Sequence, residues 1–572
     1  MNELTVSDFY CGAGGFSEGF RQQGYKIILG IDSWKPAIET FNYNFGLECE
    51  PKNMLDFENS VEEIEALPDT HVIIGSPPCV SFSNSNKSGK ADKSMGLRLT
   101  EALLRIVAVK KHKPKSKLKA WFLENVANSR KYLPDSYTFN DLKLTEWAKN
   151  NNIDPHKVAI KINGNNVIMN SADYGSPQIR KRLIAGEIIR LKKLVIPKKI
   201  NKAVKEKGKL PNYITINDIK DLLPKPNRKN IPRNILDPLY KFSIEGKDLT
   251  DQFYDTGIYE HDWRMSEYLK TNHPYMGRMS FPEKGNAPSR TVTATKIGSS
   301  REALIYLSEY KREGHGKYRT ATVREAATFM GFPITYQFVG AENSKWRLVG
   351  NAVCPSISRA LAKEVRKRIG AKKIKSPQVV KQIQEIEGIT NLNTFQERTF
   401  DKPFTKKKGS RFRRHPFKDG NLTVTLSNYD IKENGKKVGK WKTSIQYGTG
   451  DGFPTHNYAD GYYEILKPVI LKLENGKKFI EIMNNGFSEK IADGKTLQEI
   501  YETQKGKGSF IEPTKLVQEI SEIINKMDFK EPNFKQNGHK IFDKDVVSKR
   551  QLFALYAINK ISSTANKTIT HE

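Results

Sequence analysis

The chain has 572 residues, of which 37% are hydrophobic and 10% aromatic, enough for several folded domains. Lysine and arginine number 95 against 64 acidic residues, and this net charge of +31 suits nucleic acid or an anionic membrane surface, although an AT-rich genome also produces lysine-rich proteins. The sequence contains no apolar run of ~18 residues, begins unlike a secretory signal, and spaces its four cysteines unlike zinc ligands, so we expect a cytoplasmic protein without membrane spans, disulfides or metal ligands.

Short apolar runs alternate with amphipathic stretches through residues 1–186, the pattern of a parallel sheet with crossover helices. One helix is predicted to end at Gly24, and a second to begin from a Ser33 cap. The apolar runs at 71–75 and 120–125 do not alternate with polar residues, as is typical of strands that are buried on both faces. Strands are predicted over residues 4–8, 26–32, 71–75 and 120–125. The pattern predicts an α/β fold.

The texture changes after this region. Prolines, lysines and asparagines crowd residues 187–285, which predicts an inserted segment with its own small fold. Strand and helix patterns return in 288–295 and 323–333, and a helix in 349–369 completes this part of the chain. Residues 380–572 are predicted to form an additional α+β C-terminal domain. Its predicted strands lie in 421–426, 462–473 and 477–483, and its helices in 514–527 and 549–561.

A glycine-rich turn follows the first predicted strand, in the segment DFYCGAGGFSEGF (8–20). Glycines at this position let the backbone approach a ligand and direct amide N–H groups at it. Asp32 ends the next strand, where a carboxylate binds ribose hydroxyls. The form G-x-G-G differs from the usual dinucleotide fingerprint and favours an adenosyl ligand other than NAD. A tight turn without a ligand would give the same sequence.

Cys79 lies in GSPPCVSFS, directly after a predicted buried strand. The two prolines stiffen the chain and present the cysteine beyond the C-terminal edge of the sheet, where open α/β folds bind ligands. A thiol at such a position is activated by nearby positive charge. A half-buried cysteine in a proline turn is the alternative interpretation.

Two further segments carry charged side chains at the same predicted edge. Glu124 ends the buried strand of AWFLENV, where a carboxyl beside apolar walls is a candidate general acid with a raised pKa, or alternatively a turn cap. In QIRKR, the side chains of Gln178, Arg180 and Arg182 share one face if the segment is extended. Two adjacent arginines suit an anion clamp, although an exposed basic strand has the same pattern.

Taken in order, these segments resemble the motifs of the cytosine-5 DNA methyltransferase family. The family pattern reads D-x-F-x-G-x-G-G, P-P-C, E-N-V, Q-x-R-x-R, R-E-A-A-x-x-x-G-F-P and G-N-A-V. The chain carries these motifs at Asp8–Gly15, Pro77–Cys79, Glu124–Val126, Gln178–Arg182, Arg324–Pro333 and Gly350–Val353. The resemblance covers residues 1–186 and 286–370, in the family's order and spacing.

The resemblance implies a Rossmann-like methyltransferase catalytic domain over 1–186 and 286–370, with 187–285 as the target-recognition domain. It implies methyl transfer from S-adenosylmethionine to carbon 5 of cytosine in a specific double-stranded DNA sequence, as in bacterial restriction-modification systems. The cytosine must leave the stacked duplex to enter the pocket. A cognate restriction endonuclease is then a functional partner, and the enzyme is expected to be a monomer.

The family also implies roles for individual residues. The Cys79 thiolate adds to carbon 6 of the base, and Glu124 hydrogen-bonds or protonates N3, so that carbon 5 attacks the methyl group. Arg180 and Arg182 hold the base carbonyl, the Glu124 side chain and backbone phosphate. The expected cofactor-binding residues are Tyr10, Gly12, Gly14, Asp32, Asn351 and Ala352.

Two departures from the family pattern follow the nucleophile and the last motif. Val80 stands where the family usually has glutamine, which affects how the segment after Cys79 fills the gap left by the flipped base. Cys354 stands where many members have proline, and we predict that it is a packing residue.

Three other functions fit parts of the sequence. An exocyclic-amine methyltransferase would have a proline-rich motif ending in an aromatic residue, where this chain has Cys79. A tRNA cytosine-5 methyltransferase of the same family would be compact, with a small insert and no large tail. A non-catalytic DNA-binding protein would have no need of Cys79, Glu124 and the two arginines.

The sequence leaves the role of residues 380–572 open. The basic cluster at 404–418 suits sequence-independent phosphate contacts or a solvated linker. Partner binding and regulation are further alternatives. Asp460, Glu464 and Glu481 lie near predicted strands and allow a fused nuclease, although their spacing does not indicate a metal site.

Overall fold

The computed structural model describes residues 3–78, 94–272, 277–383, 389–400, 414–419, 422–433, 436–447, 455–503, 507–535, 541 and 546–567. Cys79 and Val80 lie outside the described residues, as do positions 404–413 of the basic cluster. The described residues group into two compact units, one within 3–400 and one within 414–567. Within the described ranges, no helix is long and apolar enough to cross a membrane.

A six-stranded sheet lies at the centre of the first unit. The strands of this unit are β1 (Thr5–Phe9), β2 (Lys26–Ile31), β3 (Val72–Gly75), β4 (Ala120–Val126), β5 (Ser136–Thr138), β6 (Val158–Lys161), β7 (Asn166–Asn170), β8 (Lys181–Ile188), β9 (Asn234–Leu236), β10 (Ser243–Glu245), β11 (Ile305–Leu307) and β12 (Tyr318–Thr320). The sheet order is β2-β1-β3-β4-β8-β7, in which β1 to β4 run parallel, β8 pairs antiparallel with β4, and β7 pairs antiparallel with β8. The four N-terminal strand predictions are confirmed.

The helices of the first unit are α1 (Gly15–Arg21), α2 (Lys35–Phe45), α3 (Val61–Ala66), α4 (Ser94–His112), α5 (Thr145–Asn150), α6 (Ile216–Lys220), α7 (Glu260–Thr271), α8 (Val323–Met330), α9 (Glu342–Asn351) and α10 (Pro355–Arg368). Helix α2 begins one residue later than a Ser33 cap predicts, because Trp34 occupies the cap position. Helix α8 is closed at its start by a capping box between Thr322 and Glu325. The order of the parallel strands puts the ends of β1 and β3 side by side, where ligands bind in open α/β sheets.

The inserted range 187–285 does not form a compact unit of its own. Its apolar side chains share one hydrophobic cluster with residues 292–354, because its short elements cannot bury them alone. Members from the insert are Ile216, Ile219, Leu223, Ile235, Phe242, Ile244, Leu249 and Phe253. The prediction of a strand in 288–295 is wrong, since this stretch forms a single bridge between Ser289 and Gln178.

Residues 389–400 also pack within the first unit, although the sequence predicts that the helix in 349–369 completes this part of the chain. The Asn393 side chain accepts hydrogen bonds from the backbone N–H groups of Gln252 and Phe253, at 2.9 and 2.8 Å. The fully buried ion pair between Lys345 and Asp251 lies beside them. Lys345 also donates to the carbonyl of Thr390. The second unit therefore begins after residue 400 and not at 380.

These contacts make the stability of the first unit depend on where the chain is cut. Truncation after residue 375 leaves buried polar groups without partners, and each such group costs about 1–3 kcal/mol. We expect this truncated protein to unfold at a lower temperature than one ending at residue 402, which keeps the contacts. Thermal unfolding of the two proteins, measured side by side, tests this. Equal unfolding temperatures would contradict it.

The second unit is an antiparallel sheet covered by helices. Its strands are β13 (Arg414–Asp419), β14 (Leu422–Glu433), β15 (Lys436–Tyr447), β16 (Thr455–Tyr458), β17 (Asn533–Lys535) and β18 (Val546–Ser548), of which the first four form one sheet in chain order. Its helices are α11 (Tyr462–Leu471), α12 (Gly476–Ile482), α13 (Gly494–Thr503), α14 (Pro513–Asn525) and α15 (Lys549–Asn566). Helix α15 is buried along most of its length.

Two strand predictions in this unit are wrong. Residues 462–473 and 477–483 fall in α11 and α12. In α11, Tyr463, Leu466 and Ile470 are the buried residues, a helical spacing that the many apolar residues in this stretch concealed. The acids considered for a nuclease do not gather either. Asp460 accepts from Asn566, Glu464 and Glu481 are exposed, and the described residues contain no group of side chains able to hold a metal ion.

Candidate active site

The turn after β1 brings the backbone to open space. Tyr10, Gly12 and Gly14 all have positive φ angles, of 56°, 52° and 79°. A Cβ atom at Gly12 would meet nothing within 4 Å, whereas one at Gly14 would lie 2.6 Å from the ring of Phe45. Gly12 therefore faces a space that a ligand can occupy, and Gly14 allows the turn to pack closely on α2.

Asp32 closes one side of this turn. Its Oδ2 accepts from the backbone N–H of Gly12 at 3.0 Å, and its Oδ1 accepts from that of Trp34 at 2.9 Å. Burial raises the pKa of Asp32, while these backbone donors act in the opposite direction. A carboxylate can accept about four hydrogen bonds, so one remains for a ligand hydroxyl beside the backbone donors of Gly12, Ser33 and Trp34. The carboxylate thus stands next to the open space at Gly12.

The far end of the catalytic region approaches the same turn. A Cβ atom at Gly15 would lie 2.2 Å from the carbonyl oxygen of Val353, so the two stretches are in close backbone contact. Asn351, the last residue of α9, is exposed, and Ala352 is buried. The contact at Gly15 therefore places the stretch that follows Asn351 against the glycine turn, although the residues of the two groups are 319 to 342 positions apart in the sequence.

The segment after β3 is tied to both neighbouring strand ends. The Ser76 hydroxyl donates to the carbonyl of Tyr10 at 3.1 Å, and the Asn125 side chain donates to the carbonyl of Pro77 at 3.2 Å. Pro78 is exposed at the C-terminal edge of the sheet. The chain therefore reaches this edge immediately before Cys79, which itself lies outside the described residues.

Glu124 and Arg182 form an ion pair at this edge. Strands β4 and β8 are neighbours, and the Arg182 Nε lies 3.1 Å from the Glu124 Oε1. Glu124 is 6% exposed, and its burial raises the pKa of the carboxyl, with Arg182 and Arg180 opposing the rise. The raised pKa shifts this carboxyl towards the protonated form that a general acid needs.

Gln178 and Arg180 face the protein interior with Arg182, but their contacts differ from the predicted clamp. Arg180 is 2% exposed, which contradicts an exposed basic strand. Three of its hydrogen bonds go to the carbonyls of Val292, Gly350 and Ala352, at 2.9, 3.0 and 3.1 Å. The Gln178 side chain accepts from the N–H of Val292. In this structure Arg180 thus holds backbone together, where the sequence predicts a hold on base or phosphate.

The matching family model is that of the C-5 cytosine-specific DNA methylase, over residues 4–367. That range contains the six-stranded sheet and all the site residues described above. The chain belongs to this family. It is accordingly a DNA (cytosine-5-)-methyltransferase, and the match ends before the second unit begins.

Individual relatives of the methyltransferase match the same part of the chain. The type II methyltransferase M.MthTI of Methanothermobacter thermautotrophicus is 29% identical over 375 residues, which cover 64% of this chain and 97% of that protein. M.AplI of Arthrospira platensis is 26% identical over 372 residues, covering 64% and 86%. A solved structure of a putative DNA modification methyltransferase from an Escherichia coli prophage covers 64% of this chain and all of that one, with 19% identity and a TM-score of 0.38.

One buried carboxyl beside the glycine turn of the methyltransferase, that of Asp8, was not predicted as a site residue. Asp8 is fully buried below the glycine turn, its Oδ2 accepts from the Ser17 hydroxyl at 2.7 Å, and its Oδ1 has no hydrogen-bond partner among the described residues. Burial raises its pKa to about 8, so the carboxyl is mostly protonated at neutral pH. Its position as the first letter of D-x-F-x-G-x-G-G was the available signal.

Proposed function

We propose that this methyltransferase uses S-adenosylmethionine to methylate cytosine within a specific double-stranded DNA sequence, through a covalent Cys79 adduct. The main support is the pairing of buried Glu124 with Arg182 at the same sheet edge to which Pro77 and Pro78 lead the chain. The type II names of its relatives support a role in restriction-modification, with a cognate endonuclease as functional partner. The methyltransferase acts as a monomer in this proposal.

The proposed cofactor site is the turn from Tyr10 to Gly14 with Asp32, Asn351 and Ala352. Open space at Gly12 beside a carboxylate suits the ribose and amino-acid ends of an adenosyl ligand. When bound, S-adenosylmethionine supplies an electrophilic methyl group. The residues of the chain bind and orient it, and the close backbone contact at Gly15 keeps the two halves of the site together.

The proposed chemistry begins with the base outside the duplex, because carbons 5 and 6 are not accessible in the stack. The Cys79 thiolate forms a bond to carbon 6, and Glu124 gives a proton or hydrogen bond to N3. Carbon 5 thereby gains the electron density to form its bond to the methyl group, as the bond from that group to the sulfonium sulfur breaks and leaves a neutral thioether. A base then removes the carbon 5 proton, the electron pair expels the cysteine as thiolate, and N3 returns any proton it received to Glu124.

Arg182 has two roles in this proposal. Its guanidinium holds the Glu124 carboxyl at 3.1 Å and has further donors for the base carbonyl. Arg180 has a supporting role, since its hydrogen bonds to Gly350 and Ala352 fix the turn that carries Asn351.

Bisulfite sequencing of DNA from cells that express the protein tests the function directly. We expect full conversion resistance at one cytosine of one short sequence, and none in cells that carry the empty vector. Parallel assays with purified protein and tritiated S-adenosylmethionine compare duplex DNA with tRNA. Labelling of tRNA alone would replace this proposal with that of an RNA methyltransferase.

We further propose that residues 187–285 carry the sequence recognition. Exchanging this range for that of a related enzyme should move the methylated site and keep the chemistry. Because Ile216 and Phe253 pack against the catalytic part, the exchange needs to keep the apolar residues of the shared cluster. An active chimera with the original methylation pattern would contradict the proposal.

A further inference from the structure

Tyr10 contacts both sides of the segment that contains Cys79. Its hydroxyl donates to the carbonyl of Leu99 in α4 at 2.7 Å, and its own carbonyl accepts from the Ser76 hydroxyl at 3.1 Å. Ser76 precedes Cys79 by three residues, and Leu99 lies within the first two turns of the helix that follows. One residue of the proposed cofactor turn is thus bonded before and after the nucleophile.

The hydroxyl is a feature of this chain and not of the family pattern. The pattern D-x-F-x-G-x-G-G has phenylalanine at this position, which provides a ring without a hydrogen-bond donor. Here the phenol is 9% exposed, and burial raises its pKa, so it remains a donor at any pH that the fold tolerates. Tyr10 is also a non-glycine residue in the left-handed region, with φ at 56°.

The start of α4 is held from a second direction as well. Arg98 donates to Glu58 at 2.7 Å, and Lys143 approaches the other oxygen of the same carboxylate. This ion pair fixes the helix to the Met54–Glu58 turn, away from the residues that bind ligand. The bond from Tyr10 relates the described part of the helix to the glycine turn.

We propose that Tyr10 is a positioning residue of the methyl transfer, which fixes both flanks of the Cys79 segment relative to the cofactor turn. The inference rests on the proposed cofactor site and nucleophile. Tyr10 does not act on the reacting atoms in this role. It acts through Ser76 and Leu99.

Tyr10→Phe removes the hydroxyl and keeps the ring. We expect the affinity for S-adenosylmethionine without DNA to stay within about threefold of wild type, and kcat to fall about tenfold. The rate of covalent trapping on a 5-fluorocytosine duplex should fall by the same factor, because that rate reports attack by Cys79. Tyr25→Phe is the matched control, since the buried Tyr25 hydroxyl donates to the carbonyl of Ala362 outside the site. It should lower thermal stability and leave kcat within twofold.

Ser76→Ala gives a second, independent variant. If Ser76 and Leu99 are positioned through the same residue, the double variant Ser76→Ala/Tyr10→Phe should be slowed by less than the product of the two single effects. Wild-type trapping and kcat in Tyr10→Phe, or equal losses in Tyr10→Phe and Tyr25→Phe, would overturn the inference. A wild-type protein that methylates no DNA would instead overturn the proposed function, and this inference with it.

Discussion

Replacing Cys79 with alanine is expected to abolish methyl transfer and to leave the affinity for S-adenosylmethionine nearly unchanged. Carbon 5 of cytosine is too weak a nucleophile to attack a methyl group until a thiolate has added to carbon 6, so no other side chain compensates for the loss. In the described part of the chain, the cofactor turn bonds to Ser76 through the Tyr10 carbonyl, and both residues remain in the variant. The variant should therefore bind the cofactor but fail to transfer its methyl group.

Two measurements check this expectation. Tritiated methyl transfer to duplex DNA should be undetectable for Cys79→Ala, while equilibrium binding of the cofactor persists. On a 5-fluorocytosine duplex, wild-type protein should form a complex that survives denaturing electrophoresis, because fluorine cannot leave as a proton does. Cys49→Ala is the matched control, since this half-buried thiol accepts from the N–H of Gly30 behind the site. Turnover by Cys79→Ala at the wild-type rate would refute the mechanism.

The sequence predicts which residues lie at the edge of the sheet better than it predicts the contacts of their side chains. Buried strands of uniform apolar character placed Asp32 and Glu124 at strand ends, and parallel pairing then brings those ends together. The same reasoning cannot say which partner a side chain chooses. Arg180 and Arg182 lie at alternate positions of one extended segment and are predicted to share a face. Arg180 nevertheless bonds to backbone carbonyls 112 to 172 positions away, whereas Arg182 bonds to Glu124.

Domain boundaries were less predictable for a different reason. The composition of 187–285 changes sharply, but its short elements bury their side chains against α8 and α9, a contact that composition does not reveal. Residues 389–400 have no regular structure, and polar side chains such as Asn393 join them to the first unit. Hydrogen bonds of this kind depend on backbone groups that become available only after folding.

Secondary structure is hardest to predict from the sequence in the second unit. Tyr463, Leu466 and Ile470 have helical spacing, but several β-branched neighbours within α11 favour a strand, and Pro468 disfavours the interior of a helix. Tertiary burial of one helix face decides the outcome. By contrast α14 has a clear apolar stripe, with Leu516, Ile520 and Ile524 buried, and its prediction is confirmed.

Changing Glu124 to glutamine is expected to slow methylation by about 10²–10⁴-fold, the usual contribution of a positioned general acid. The amide keeps the shape of the side chain and a hydrogen bond to the base, but it cannot transfer a proton to N3. Arg182 retains a neutral acceptor in the variant, so the pocket should stay intact and DNA affinity should change little.

The pH dependence distinguishes loss of an acid from loss of structure. Burial raises the pKa of Glu124, so the protonated form persists to higher pH than for an ordinary carboxyl, and wild-type kcat should fall as pH rises through that pKa. Glu124→Gln cannot ionise and should lack this limb. Glu187→Gln is the matched control. Like Glu124, Glu187 is a buried glutamate, but it lies on β8 and accepts from Trp121 at the opposite end of the β4–β8 pair. It should lower stability without altering the pH profile. A Glu124→Gln rate within a few-fold of wild type would mean that another group activates N3.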